Sequence, residues 1–250
     1  MRHNEMASRN RVAWNAASYE ARTERYGPPG TAASRTMADP LHTARRIVPY
    51  IGDTRGLRLA NPLGSHGSVA VALSLLGAEA TVFDISAGNA RYARELATAA
   101  GVAIDYVEGD FLRTARAFEA RFDGACMELG VTHYFGSLDG FVEALRLIVV
   151  PGGTVVLSEF HPLAKKALAI EKGNIRLVGD YFASAIEAAA TPYEAFVGDE
   201  VPECVLRRWT LGETVTAFAQ GGFRIETLAE HPHASCPAVP GEFTLVAIRM

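Results

Sequence analysis

Cysteine is scarce: three residues, at positions 126, 204 and 236, in a chain of 250, and no C-x-x-C spacing. That pattern excludes a disulfide framework and a cysteine-based zinc site, and predicts free thiols in a reducing compartment, the cytoplasm. Lysine is as rare. The three at 165, 166 and 172 leave 21 arginines among 24 basic residues, and the net charge is −4. The clustered positive excess on which nucleic-acid affinity rests is therefore missing, and no nucleic-acid partner is expected. No apolar run approaches the roughly 18 residues of a membrane-spanning helix. The opening MRHNEMASRNRVAWN lacks the apolar stretch of a secretory signal. Neither internal repeat nor low-complexity tract is present. What remains is an ordinary globular composition, 49% hydrophobic and 21% charged. This length predicts one domain over 1–250 with a full core.

Residues 1–50 read as a polar, helix-compatible cap, interrupted at GPPG (27–30) and followed by a short amphipathic helix over 39–50. From Leu57 the pattern alternates. Strands are predicted at 57–60, 80–84, 104–110, 122–130, 154–160, 223–230 and 242–249. Helices are predicted at 68–77, 86–101, 138–149 and 211–222, with Ser86 capping and Gly101 stopping the second. Such alternation implies a mostly parallel sheet with helices on both faces. The last two strands are joined by HPHASCPAVPG without a helix, so they must run antiparallel. Residues 162–208 break the rhythm and read as a lid over the substrate.

Ligands of such sheets bind beyond the carboxyl ends of the strands. After the first strand comes NPLGSHGS (61–68), leading into a helix whose N-terminus offers free N–H groups. His66 lies in this loop, as ligand contact or helix cap. Asp84 and Ile85 follow the second strand. Asp84 has the placement of an acid that holds a ribose diol, or that caps the helix starting near Ser86. Asp110 and Phe111 follow the third strand, Glu128 the fourth, and Glu159–Phe160–His161 the fifth. A nicotinamide enzyme would need G-x-G-x-x-G after the first strand, which 61–68 does not supply.

This order of pieces resembles the class I S-adenosylmethionine (SAM)-dependent methyltransferases, small-molecule branch, over about 57–160 and again at the C-terminal strand pair. The resemblance implies a Rossmann-like α/β fold with a seven-stranded, mostly parallel sheet and SAM as cofactor. It assigns the methionine part to Asn61, Gly64, Ser65 and Gly67, the ribose to Asp84, and the adenine edge to Asp110 with Phe111 beside the ring. It also implies Trp14 and Tyr19 in a closing N-terminal helix, and PGG at 151–153 as a hallmark turn. The loop departs from the family's acidic-x-Gly-x-Gly-x-Gly: Asn61 replaces the acid, and Leu63 and Ser65 replace two glycines.

The expected activity is methyl transfer to a small organic acceptor on C, O or N. Tyr26, Tyr134, Phe135, Tyr181, Phe182, Tyr193 and Phe196 favour a flat or apolar one, such as an aromatic natural-product intermediate of secondary metabolism. His161, directly after the fifth strand and before the lid, is the first candidate base, since imidazole titrates near neutrality. His133 and His231 are the others, with His233 on the same loop as His231. Glu128, beside the expected methyl position, is a candidate of both the catalytic and the cofactor-binding sets: its carboxylate would orient a donor group or an ammonium, or else be the buried partner of an arginine. No metal site is expected. The competing reading is a SAM-binding protein of the same fold that catalyses a different reaction or only binds. A monomer or homodimer is expected.

Overall fold

The computed structural model describes residues 1–171, 174–198 and 201–250. Five helices come first: α1 (His3–Asn15), α2 (Ser18–Tyr26), α3 (Pro29–Ala38), α4 (Pro40–Thr43) and α5 (Val48–Ile51). The alternating region follows: β1 (Arg58–Pro62), α6 (Ser68–Leu75), β2 (Glu79–Asp84), α7 (Ala87–Ala99), β3 (Asp105–Glu108), α8 (Phe111–Thr114), β4 (Phe122–Glu128), α9 (Leu138–Ile148) and β5 (Val149–Phe160). The segment after β5 holds β6 (Leu168–Glu171), β7 (Asn174–Leu177), β8 (Ile186–Ala189), α10 (Glu194–Val197) and β9 (Cys204–Arg207). Helix α11 (Leu211–Gln220), β10 (Phe223–His233) and β11 (Cys236–Arg249) complete the chain.

Seven strands form one sheet in the order β10-β11-β5-β4-β1-β2-β3. Strands β3, β2, β1, β4 and β5 are mutually parallel, and β11 is antiparallel to both its neighbours, with Leu245 facing Leu157 and Leu228. Order reverses beside β1, so the crevice for a ligand opens over the ends of β1, β2 and β4. Both faces are covered. Phe83, Phe111, Phe122, Phe141, Leu145, Leu157, Phe218 and Phe243 form the larger core. Leu59, Val69, Leu73, Cys126 and Val156 meet Ile47 on the other side. Helix α6 is buried along Val69–Leu73, so its apolar surface runs nearly all round.

Several expectations need correcting. PGG at 151–153 is not a turn before β5. It lies within β5, as an irregularity between the pairs Phe122–Val149 and Gly124–Thr154. Residues 27–30 do not merely break the chain, because Pro29 opens α3 at a position where its missing N–H costs nothing. The predicted 39–50 helix is two short helices, each with proline in its first turn. HPHASCPAVPG is not a loop. Strands β10 and β11 continue through it and pair as far as His233–Cys236. The segment 162–208 forms two small antiparallel ribbons, β6–β7 and β8–β9. Its residues 172–173 and 199–200 lie outside the described residues. Among the described residues no helix is long and apolar enough to cross a membrane, and Cys126, Cys204 and Cys236 are free and buried.

Candidate active site

A cavity of about 510 Å³, within the usual range of small-molecule sites, opens over the carboxyl ends of β1 to β4. Its floor begins with the loop after β1. Leu63 and Ser65, at two of the family's glycine positions, have φ of +51° and +53°. The loop thus keeps the left-handed turns that glycine adopts freely, without the glycines, at a cost of order 1–3 kcal/mol each. Gly64 is irreplaceable for a different reason: a Cβ there would collide with the Asn61 side chain. Asn61 is 2% exposed and donates from Nδ2 to the Cys126 carbonyl of β4 at 2.7 Å. His66 is half-buried, stacked on Tyr26 with centroids 4.5 Å apart. Burial and the guanidiniums of Arg22 and Arg25 hold its pKa well below the usual histidine value, so the ring is neutral at pH 7.

Asp84, at the end of β2, accepts from Ser65 N at 3.1 Å and Ser86 N at 2.9 Å. It therefore ties the loop to the start of α7. Burial pushes its carboxyl up, and those two N–H groups oppose the shift. The helix-capping part falls to Ser86, whose Oγ accepts from Asn89 N. Asp110, at the end of β3, meets His3 Nε2 at 2.9 Å through Oδ1, and His3 stacks on Phe135. Oδ2 of Asp110 is buried without a partner. Phe111 and Ile85 line the same space.

The N-terminal helices make the roof. Helix α1 contributes His3, Ala7, Asn10 and Trp14, and α2 contributes Arg22, Arg25 and Tyr26. Asn10 holds α1 in place: its amide donates to Val205 O at 2.9 Å and accepts from Val205 N at 2.7 Å, satisfying the backbone of β9 on both sides. Tyr193 packs edge-on against Trp14, and Arg22 lies over the Tyr193 ring. From the expected lid only Lys165 and Pro192 line the cavity among the described residues.

Of the expected binding residues, Trp14, Asn61, Gly64, Ser65, Asp84, Ile85, Asp110, Phe111 and Glu128 converge on this cavity, and Tyr19 and Gly67 do not. Tyr19, on α2, packs against α7, its hydroxyl donating to Glu95 at 2.6 Å and its ring under Arg91. Gly67 lets α6 approach α7, where a Cβ would stand 2.8 Å from that of Ala93. Of the expected aromatics, Tyr26, Tyr134 and Phe135 line the cavity. Tyr181 accepts from Leu211 N, and Phe182 is 80% exposed. Phe196 packs with the Tyr193 cluster of the roof.

The catalytic candidates separate in the same way. His133 and Glu128 line the cavity. His133 is half-buried, its ring edge-on to Tyr134 at 4.3 Å, and desolvation lowers its pKa against the opposing pull of Glu159. Glu128 is half-buried overall, with an unpartnered buried Oε2. Burial raises its carboxyl, while Arg46 and Arg45 oppose. His161 does not line the cavity. Phe160 does, and successive side chains of a strand point to opposite faces. His161 instead contacts Glu230 at 2.8 Å and accepts from Leu163 N at Nδ1. His231 lies on β10, with β11 and β5 between it and β4, against Thr244 Oγ1 at 3.0 Å. His233, also on β10, accepts from Ser235 N at the tip of the ribbon. Glu159 is buried under the turn after β4, accepting from Gly130, Val131 and Thr132 N at 2.6–3.1 Å. Among the described residues no group of three metal-ligating side chains occurs.

Sequence reasoning missed His3, Asn10, Arg22, Arg25 and Lys165. All project from helices or insert segments whose docking only the fold defines. Five cavity-lining side chains, His3, Asn61, His66, Asp110 and Glu128, carry buried polar atoms without a partner. Buried polar atoms are ordinarily satisfied, so this cluster fits a polar ligand with both donors and acceptors, as SAM is.

Residues 63–157 match the family model of a methyltransferase domain. Among curated proteins, none matches the sequence. Solved structures share the fold. A candidate SAM-dependent methyltransferase of Listeria monocytogenes is 17% identical, with a TM-score of 0.65, over 85% of this chain and 99% of its own. A SAM-dependent methyltransferase of Mesorhizobium loti is 22% identical, with a TM-score of 0.62, over 79% of this chain and 93% of its own. Magnesium protoporphyrin IX methyltransferase of Synechocystis PCC 6803, with bound SAM, is 14% identical, with a TM-score of 0.61, over 98% of this chain and 97% of its own.

Proposed function

We propose that this chain, a member of the methyltransferase-domain family through residues 63–157 and an enzyme with SAM as its cofactor, methylates a small organic acceptor that enters beside His133. The family carries the activity and the cofactor; the acceptor and the residue roles go beyond it. Asp84 would hold the ribose hydroxyls, Asp110 the adenine edge through its free Oδ2, and Asn61 to Ser65 the methionine part. When bound, the cofactor supplies an electrophilic methyl on a sulfonium, so the protein's work is alignment, exclusion of water and removal of a proton.

One observation carries the reading: His133 is a half-buried imidazole in the cavity wall just beyond β4, held in its neutral form by desolvation. A neutral ring accepts a proton from an acceptor hydroxyl, phenol or activated carbon. Trp14, Tyr134, Phe135 and Phe160 close the space around it with flat apolar surface, which supports an aromatic or apolar acceptor.

Incubating the purified protein with SAM and a panel of phenolic, amine and C–H-acidic acceptors tests this. S-adenosylhomocysteine should accumulate. His133→Ala should lower turnover about 10²–10⁴-fold with cofactor affinity intact. A fall below tenfold removes His133 as base. Binding of SAM with no S-adenosylhomocysteine from any acceptor supports instead a binding protein or a different reaction.

A further inference from the structure

The glycine loop lacks the acid that would neutralise a cationic group of a ligand, because position 61 is asparagine. The structure explains why an acid is unsuited there. Asn61 uses its Nδ2 donor on the Cys126 carbonyl at 2.7 Å. An ionised aspartate has no donor and would set a carboxylate oxygen against that carbonyl. The amide orientation dictated by this bond leaves Oδ1 buried and unpartnered in the cavity wall. One strand over, Glu128 ends β4 with a second buried, unpartnered acceptor, Oε2. Strands β1 and β4 pair at Ala60–Ala125, so both acceptors belong to the same stretch of floor.

A complementary charge stands on the roof side. Arg22 is 7% exposed. Its guanidinium donates to Ser65 Oγ at 2.6 Å, Tyr193 Oη at 3.3 Å and Asn89 Oδ1 at 3.3 Å. Every acceptor it hydrogen-bonds among the described residues is neutral; the Asp84 carboxylate, which shares Ser65 with it, acts on it only through space. A buried guanidinium is ordinarily paired with an anion. Arg25 lines the same wall, and so does Ser68, the first residue of α6, where free N–H groups add to the positive potential.

We infer that the amino-acid end of the cofactor is held by two charges from outside the glycine loop: Glu128, with the Asn61 carbonyl oxygen, takes the α-ammonium, and Arg22 takes the α-carboxylate. The inference rests on SAM as the ligand and adds which residues read its zwitterion. The acid absent from β1 has its counterpart on β4, and the anion site is completed by a helix that precedes the sheet in the chain.

Isothermal titration with four non-reacting ligands tests both assignments. These are S-adenosylhomocysteine, its des-amino analogue, its decarboxylated analogue and 5′-methylthioadenosine, which lacks the amino-acid end. Glu128→Gln should weaken S-adenosylhomocysteine and the decarboxylated analogue about ten- to a hundredfold, the scale of one hydrogen bond to a charged group. It should leave the des-amino analogue and 5′-methylthioadenosine within about twofold. Arg22→Gln should weaken S-adenosylhomocysteine and the des-amino analogue by a similar factor and spare the other two. Retained 5′-methylthioadenosine affinity also reports that each variant is folded. Equal losses for all four ligands, or none, would overturn the assignment while leaving the cofactor in place. Failure of the unmutated protein to bind any of the four would instead overturn the cofactor itself.

Discussion

At the scale of single residues, what matters is whether a side chain points into the cavity, and position in the chain decides that only in part. His161 and His133 each follow a strand of the sheet, but strand alternation turns His161 to the outer layer with Glu230 and Phe243. His133 reaches the cavity from the turn that Glu159 supports. Its pKa lies below 6.5 because burial disfavours the imidazolium, with Arg208 and Lys165 acting in the same direction and Glu159 against. The base form is therefore the resting form at pH 7. The acid limb of kcat/KM should be centred below the ordinary histidine value of 6.5; an acid limb centred above 6.5 would contradict this. Asp84→Ala should weaken SAM binding by about 1–3 kcal/mol, the range for lost bonds to a charged group. Calorimetry showing unchanged affinity would remove Asp84 from the ribose position.

At the scale of elements, the alternating half of the chain was legible and the rest was not. β1 to β5 and their helices follow from hydrophobic period and capping residues, as with Ser86 before α7. The ribbons β6–β7 and β8–β9 left no such trace. IEAA has little apolar alternation; NIRL alternates, but over only four residues, and β7 is exposed throughout, so it buries no face. What holds β9 is a side chain nearly two hundred residues away. The Asn10 amide meets Val205 N and O, a contact that no local pattern encodes. The site divides along the same line. Asp84, Asp110 and Asn61 were readable because they end strands, whereas Arg22 was hidden because nothing local says which helix face will roof the sheet. Asn10→Ala should cost about 1–3 kcal/mol, since it leaves two buried backbone groups of Val205 unpaired. Chemical denaturation measures the loss. Amide exchange at 204–207 should be slow in the parent and fast in the variant, while 174–177 exchanges fast in both.

At the scale of the whole molecule, three histidines share one consequence. Burial lowers the pKa of His66, His133 and His161 below the ordinary value of 6.5. The unfolded chain therefore takes up protons at these sites before the native state does. Stability rises with pH wherever the unfolded state binds more protons. The contribution is complete above about pH 6.5 and is lost progressively as pH falls through that value toward the lower native values. Asp84 and Glu128, whose carboxyls burial raises, act with the opposite sign, in the carboxylate range further down. The melting temperature should fall between pH 7.5 and 5.5 by calorimetry; a level trace across that window would show that the histidines do not govern acid sensitivity.

The clasp between Asn10 and Val205 also sets an order of events during synthesis. The residues that roof the cavity leave the ribosome first, yet their partner is made 195 residues later. At about 5–20 residues per second, that interval is roughly 10–40 s. Throughout it Ala13 and Trp14 have no β9 or Tyr193 to cover them. The nascent sheet can assemble around β1, β2 and β4 while α1 has its contacts to Asp110, Tyr134 and Phe135, but not β9, to hold it. A late event in the maturation of the pocket is then the meeting of α1 with β9, a segment made long after it.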